Sequence, residues 1–120
     1  MINMLITLYS AFYGINSDLS FQIARLESNM NPVAFSKTND GGLYQLNTKY
    51  HKFHNPALIF DINYNIPIAL YTLKNLRDTC KHKIDNTYVL CYNMGITGAK
   101  KIKYPLKHPY YRKTSLIWRL

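Results

Sequence analysis

The chain has 120 residues and a mass of 14.0 kDa, the usual size of one domain, so a single domain over residues 1–120 is expected. With 48% hydrophobic and 18% charged residues, the composition excludes a disordered chain and predicts a real core. Up to Leu73, four bases (Arg25, Lys37, Lys49, Lys52) balance four acids (Asp18, Glu27, Asp40, Asp61). From Lys74 onward eleven bases meet two acids, so the net charge of +9 belongs to the C-terminal part. Such a field draws polyanions, whether nucleic acid, anionic lipid or a cell wall bearing carboxylates and phosphates, without choosing among them.

In chain order, Ile2, Leu5, Ile6, Tyr9, Phe12 and Tyr13 recur at spacings of three and four, and Gly14 is placed to end the run, which predicts a first, core-forming helix. This apolar stretch lacks a basic start and a small-residue cleavage site, so no signal peptide is expected. It is also too short to span a bilayer. Asn16, Ser17 and Asp18 are cap residues, and Leu19, Ile23, Leu26 and Met30 continue a second helix until Asn31 and Pro32 forbid it. Glu27 falls in its last turn. From Asn31 to Asn47 helical periodicity is lost, and Asn39-Asp40-Gly41-Gly42 marks a tight turn in a loop or short strand segment around residues 35–47. A third helix carries Ile68, Leu70, Tyr71, Leu73 and Leu76. Asp61 and Asn65 both offer a start, and Pro67 makes Asn65 the better one, because proline belongs near a first turn. A fourth helix is expected from Asn86 to Met94 with Gly95 as its stop, and a fifth from Pro109 towards Trp118. The predicted fold is mainly α, with about five helices.

Cys80 and Cys91 are the only cysteines, too few for a disulfide scaffold. Two buried free thiols are the expected state, with one bridge as the alternative. His51 and His54 stand three apart, the spacing of a metal pair, yet nothing nearby completes a ligand set, so no metal and no cofactor is expected. The run AKKIKYPLKHPYYRK reads as a solvated basic face. Its lysines and aromatics also suit nucleic acid, but no recognised binding motif accompanies them.

Glu27 is the only glutamate in the chain. It opens ESNMNPVAFS, which is followed by GGLYQLN and later by YNMG. In this order and spacing the chain resembles the soluble lytic transglycosylases and their goose-type lysozyme relatives. That family has a Glu-Ser pair leading into Asn-Pro, a serine nine residues after the glutamate and a glutamine eighteen after it. Ser36 and Gln45 stand at those separations. The resemblance implies an α+β lysozyme-like fold acting on peptidoglycan glycan strands, with Glu27 as catalytic acid. A carboxylic acid in a partly apolar cleft protonates the leaving oxygen of a glycosidic bond, and Leu26, Phe35 and Leu43 are the expected apolar neighbours.

The same resemblance assigns Ser28 and Ser36 to substrate binding or to positioning the acid, and Gly42, Leu43 and Gln45 to the sugar cleft. Tyr44 replaces the family's methionine, so a ring that stacks on a sugar is expected there. Tyr92 and Asn93 match the family's Tyr-Asn-Ala-Gly, with Met94 in place of alanine, and Tyr111 fits its late tyrosine slightly better than Tyr110. Asp40 is a second carboxylate. It either caps its own turn or serves as the base of an inverting hydrolysis.

The expectation is therefore a monomeric lytic transglycosylase that cuts between N-acetylmuramic acid and N-acetylglucosamine and leaves 1,6-anhydro ends. A hydrolytic muramidase using Glu27 with Asp40 is the alternative, and an inactive wall-binding or virion structural protein is the alternative of another class. An anionic wall surface is the expected partner of the basic part, with no specific nucleic acid. Lacking a recognisable export signal, the chain reads as a phage virion-associated or host-cell lysis enzyme.

Overall fold

A computed structural model of the protein describes residues 1–52 and 54–115. Its order of elements is mainly α and lysozyme-like, as the sequence predicts, and it divides into two compact units, one of Met1–Leu70 and one beginning at Tyr71. The boundary falls inside the third helix.

In the first unit, α1 (Ile2–Tyr13) ends where Gly14 turns left-handed at φ 68°, a conformation glycine adopts without steric cost. Leu5, Ile6 and Ser10 face inward, while Met4, Leu8 and Phe12 stay exposed. The expected core helix is therefore buried on one face only. Its buried Ser10 Oγ donates to Ser20 Oγ at 2.8 Å, which ties α1 to α2 (Ser17–Ser28). Asn16 caps α2, its side-chain oxygen accepting from Leu19 N at 3.1 Å, and so satisfies one of the helix's orphan donors. The helix stops slightly before the predicted end, because Asn29 and Met30 both take positive φ ahead of Pro32. Strands β1 (Asp40–Gly41) and β2 (Leu46–Asn47) pair antiparallel, with Asp40 opposite Asn47, and Phe35 bridges to Gly41. A 3-10 turn, Pro56–Phe60, precedes α3.

Helix α3 (Ile62–Thr79) starts earlier than the sequence suggested. Asp61 is the residue at its entrance, accepting from Asn63 N through Oδ1 at 2.9 Å and from Asn65 N through its carbonyl at 2.8 Å. Pro67 consequently sits inside the helix, where it removes one main-chain donor. Ile66, Ala69, Leu70 and Leu73, all without exposed surface, provide the apolar burial that outweighs this loss.

In the second unit, a short 3-10 turn, Ile84–Asn86, carries Asp85 and Asn86 at positive φ. That backbone is incompatible with the predicted helix start at Asn86, and α4 runs instead over Val89–Lys100. Gly95, at φ 79° and ψ 161°, interrupts the helical backbone where a stop was expected, but helix resumes beyond it. Helix α5 (Pro109–Thr114) opens with Pro109 in its first turn, and the His108 ring accepts from Tyr110 N at 3.2 Å. The predicted continuation to Trp118 lies outside the described residues.

Cys80 and Cys91 form a disulfide, not the two free thiols expected. Both are buried as anticipated, at 0% and 3% exposure. The turn between α3 and α4 brings their Cα atoms to 6.2 Å, within bridging range. Closing a loop of this size restricts the unfolded chain by about 3 kcal/mol in the chain-entropy model. Urea unfolding of the wild type is expected to lose about 2–3 kcal/mol when reductant is added. The Cys80→Ser/Cys91→Ser variant should show the lower stability with or without reductant.

Candidate active site

Glu27 occupies the last turn of α2 and is half-buried. The next residue, Ser28, fixes what lies beside it. Its hydroxyl donates to the Leu43 carbonyl at 2.7 Å, with the Ala24 carbonyl a longer alternative at 3.2 Å, and accepts from Asn31 N at 3.2 Å. One side chain thus closes the turn that leaves α2 and moors the Gly42–Gln45 segment to it.

That segment is held from the other side by Asn65, 1% exposed on α3. Its carboxamide donates to the carbonyls of Gly41 (3.1 Å) and Ile59 (2.8 Å) and accepts from Tyr44 N at 3.0 Å. Gly42 has φ 80°, and a Cβ there would fall on the Asn65 amide and the Ile59 carbonyl. Glycine is required at this point by the close approach of the loop to Asn65. Gln45, at φ 52°, completes the loop: its Nε2 donates to the carbonyls of Ala34 (3.1 Å) and Gly42 (3.0 Å), and Gly42 N donates to Ala34 O at 2.8 Å.

Leu43 and Tyr44 have no exposed surface. The expectation that Tyr44 stacks on a sugar is corrected accordingly, since a fully enclosed ring presents no face to a ligand. Its hydroxyl donates to Ser20 O at 2.9 Å, and burial pushes its ionisation far above the ordinary tyrosine range. Of the apolar neighbours predicted for the acid, Leu43 is enclosed, whereas Leu26 and Phe35 keep 36% and 55% of their surface exposed.

Asp40 builds its own turn. Oδ2 accepts from Thr38 Oγ1 at 2.5 Å and from Ser36 Oγ at 3.2 Å, and Oδ1 accepts from Asn47 Nδ2 at 2.9 Å. The Ser36 hydroxyl also accepts from Asp40 N at 3.1 Å. Ser36 and Asp40 therefore form one hydrogen-bonded cluster that shapes the hairpin, the arrangement expected of an aspartate in turn chemistry.

In the second unit, α4 carries Tyr92, half-buried, and Asn93, exposed, ahead of the Gly95 interruption. On α5, Tyr111 is 9% exposed and Tyr110 is half-buried. Tyr88, which the sequence reading did not single out, is enclosed, and burial pushes its hydroxyl up to about 12 against a smaller opposing effect of Arg77. Burial likewise lowers the pKa of His51. Among the described residues no group of three or more His, Cys, Asp or Glu side chains could hold a metal ion.

With this geometry in hand, the family model of the transglycosylase SLT domain matches residues 4–113, and the chain belongs to that family. Membership carries a general peptidoglycan-degrading, lysozyme-like function. No curated protein matches the chain.

Asn65 is the residue of the site that the sequence does not reveal, because an asparagine ahead of a helical run has the pattern of a cap. Its removal leaves a buried N–H and two buried carbonyls short of partners, each such group costing about 1–3 kcal/mol. Asn65→Ala is expected to lower unfolding free energy by about 2–4 kcal/mol in urea titration. A change within about 0.5 kcal/mol, as at an ordinary surface site, would contradict this role.

Proposed function

We propose that the protein is a lytic transglycosylase that cleaves the β-1,4 bond between N-acetylmuramic acid and N-acetylglucosamine, acting as a monomeric single-domain enzyme without a cofactor. Glu27, as the acid, gives its proton to the glycosidic oxygen while the bond from that oxygen to the anomeric carbon breaks and positive charge develops there. The resulting carboxylate takes the proton of the muramic acid 6-hydroxyl, whose oxygen closes on the anomeric carbon. The products are a free 4-hydroxyl on N-acetylglucosamine and a 1,6-anhydro ring, with no water consumed.

The observation that carries this reading is the 2.7 Å bond from Ser28 Oγ to the Leu43 carbonyl, which holds the glycine-rich loop against the turn bearing the only glutamate. In this reading Ser28, Ser36 and Gln45 are positioning residues, and Gly42 and Leu43 shape the loop's backbone. Tyr92, Asn93 and Tyr111 are assigned to the glycan by the family resemblance. The net charge of +9 suits an anionic wall.

Glu27→Gln keeps shape and hydrogen bonding but removes the transferable proton. Clearing of purified peptidoglycan should fall by about 10²- to 10⁴-fold while thermal unfolding stays unchanged. Wild-type clearing by this variant would sink the assignment, and a wild type that binds sacculi without cutting them would favour a wall-binding protein.

A hydrolytic muramidase with Asp40 as base is the second reading, favoured by the presence of that carboxylate in the loop. Both Asp40 oxygens are engaged by Thr38, Ser36 and Asn47, which supports the turn role instead. Asp40→Asn is therefore expected to retain most activity, with products still one water lighter than reducing ends by mass spectrometry. Reducing muramic acid ends from the wild type, lost in Asp40→Asn, would make the enzyme a hydrolase.

A further inference from the structure

The second unit contains a cleft of about 370 Å³, within the size range of ligand sites. Its walls are pinned. The Cys80–Cys91 bridge anchors the turn that forms one side. His82 Nε2 lies 2.8 Å from the Ala99 carbonyl, and Lys83 Nζ donates to the carbonyls of Arg77 (3.2 Å) and Asp78 (2.8 Å) at the end of α3. The other side is the 3-10 turn Pro105–Lys107.

Two features of the cleft stand together. Lys81, Lys103 and Lys107 contact no carboxylate among the described residues. Lys103 and Lys107 both lie over the Tyr104 ring, at 5.6 and 5.4 Å from its centroid, so two like charges crowd one aromatic. The nearby acids do not neutralise them: Asp78 pairs with Arg77 at 3.6 Å, and Asp85 is exposed in its turn. Beside these ammonium groups, Ile84 is 72% exposed, Tyr104 60% and Leu106 48%.

Lysines alone would serve any polyanion, and lysine with tyrosine would serve single-stranded nucleic acid. Neither ligand needs two aliphatic side chains held out in water, since aliphatics have no flat face for a base and no charge for a phosphate. A bilayer surface uses both features at once: headgroup phosphates meet the ammonium groups, and apolar side chains enter the acyl boundary. Lysine stems suit the same position, with their methylenes in the apolar layer and their charge in the headgroups. No helix among the described residues is long and apolar enough to cross a membrane.

We propose that this cleft is a docking site for an anionic phospholipid surface, in which Lys81, Lys103 and Lys107 bind headgroup phosphates while Ile84, Tyr104 and Leu106 insert beside them. The site is independent of the glycan chemistry assigned to Glu27.

The test is co-sedimentation of the whole protein with phosphatidylglycerol–phosphatidylcholine vesicles, with pure phosphatidylcholine vesicles and soluble poly(glycerol phosphate) as comparisons. The wild type should partition onto the anionic vesicles and not the neutral ones. Lys103→Gln/Lys107→Gln should weaken partitioning by about tenfold or more, lysines near an anionic surface being worth roughly fivefold each. Ile84→Ser/Leu106→Ser leaves the charge unchanged and should weaken vesicle partitioning by about tenfold while leaving poly(glycerol phosphate) binding as it was. All four positions are exposed, and thermal unfolding checks that each variant folds. Absence of binding to anionic vesicles would overturn the proposal. So would an Ile84→Ser/Leu106→Ser variant that binds vesicles as the wild type does, because the cleft would then read charge alone and a wall polyanion would be the better ligand.

Discussion

The carboxamide of Asn65 is the constraint on which the first unit's loop depends. It lies on the inner face of α3 and meets main-chain groups of Gly41, Tyr44 and Ile59, residues from separate stretches of chain. Buried polar groups are tolerated only when paired, and this one side chain pairs three that the loop itself leaves open. Its fit requires glycine at position 42. Every buried side-chain polar atom among the described residues has a partner, so the loop is determined by hydrogen bonding as much as by apolar packing.

Opposite Asn65, the loop is held by the end of α2. The left-handed residues Asn29 and Met30 turn the chain away directly after Ser28, so its hydroxyl reaches the Leu43 carbonyl instead of facing another helical turn. Glu27 precedes this anchor by one residue. The loop thus has two fixed points, one on α2 and one on α3, with Leu43 and Tyr44 enclosed between them. Two such fixed points hold this segment more rigidly than a single anchor would.

The second unit is organised by a covalent restraint. The Cys80–Cys91 bridge joins the residue that follows α3 to α4, and the segment between carries left-handed Asp85 and Asn86. This turn and the lysine-rich stretch around Tyr104 form a basic cleft with aliphatic edges. Four of the eleven bases from Lys74 onward, Lys81, Lys83, Lys103 and Lys107, line it.

Several features were legible in the amino-acid order because their causes are local. Gly14 ending α1, Asn16 capping α2, the turn at Asn39–Gly42 and Pro109 opening α5 each follow from the conformational limits of residues a few positions apart. Glu27, Ser36 and Gln45 carry the family likeness through their spacing within the ordered motifs ESNMNPVAFS, GGLYQLN and YNMG. Only the tertiary structure decided the rest. Asn65 reads as a cap until its partners 6, 21 and 24 residues away are known, and Tyr44 reads as a surface ring until Ser20 and the core enclose it. Two cysteines read as thiols until the chain between them folds back. Helical spacing is set by neighbours along the chain, whereas the partner of a buried polar group or a thiol is set by which distant segments the fold brings into contact.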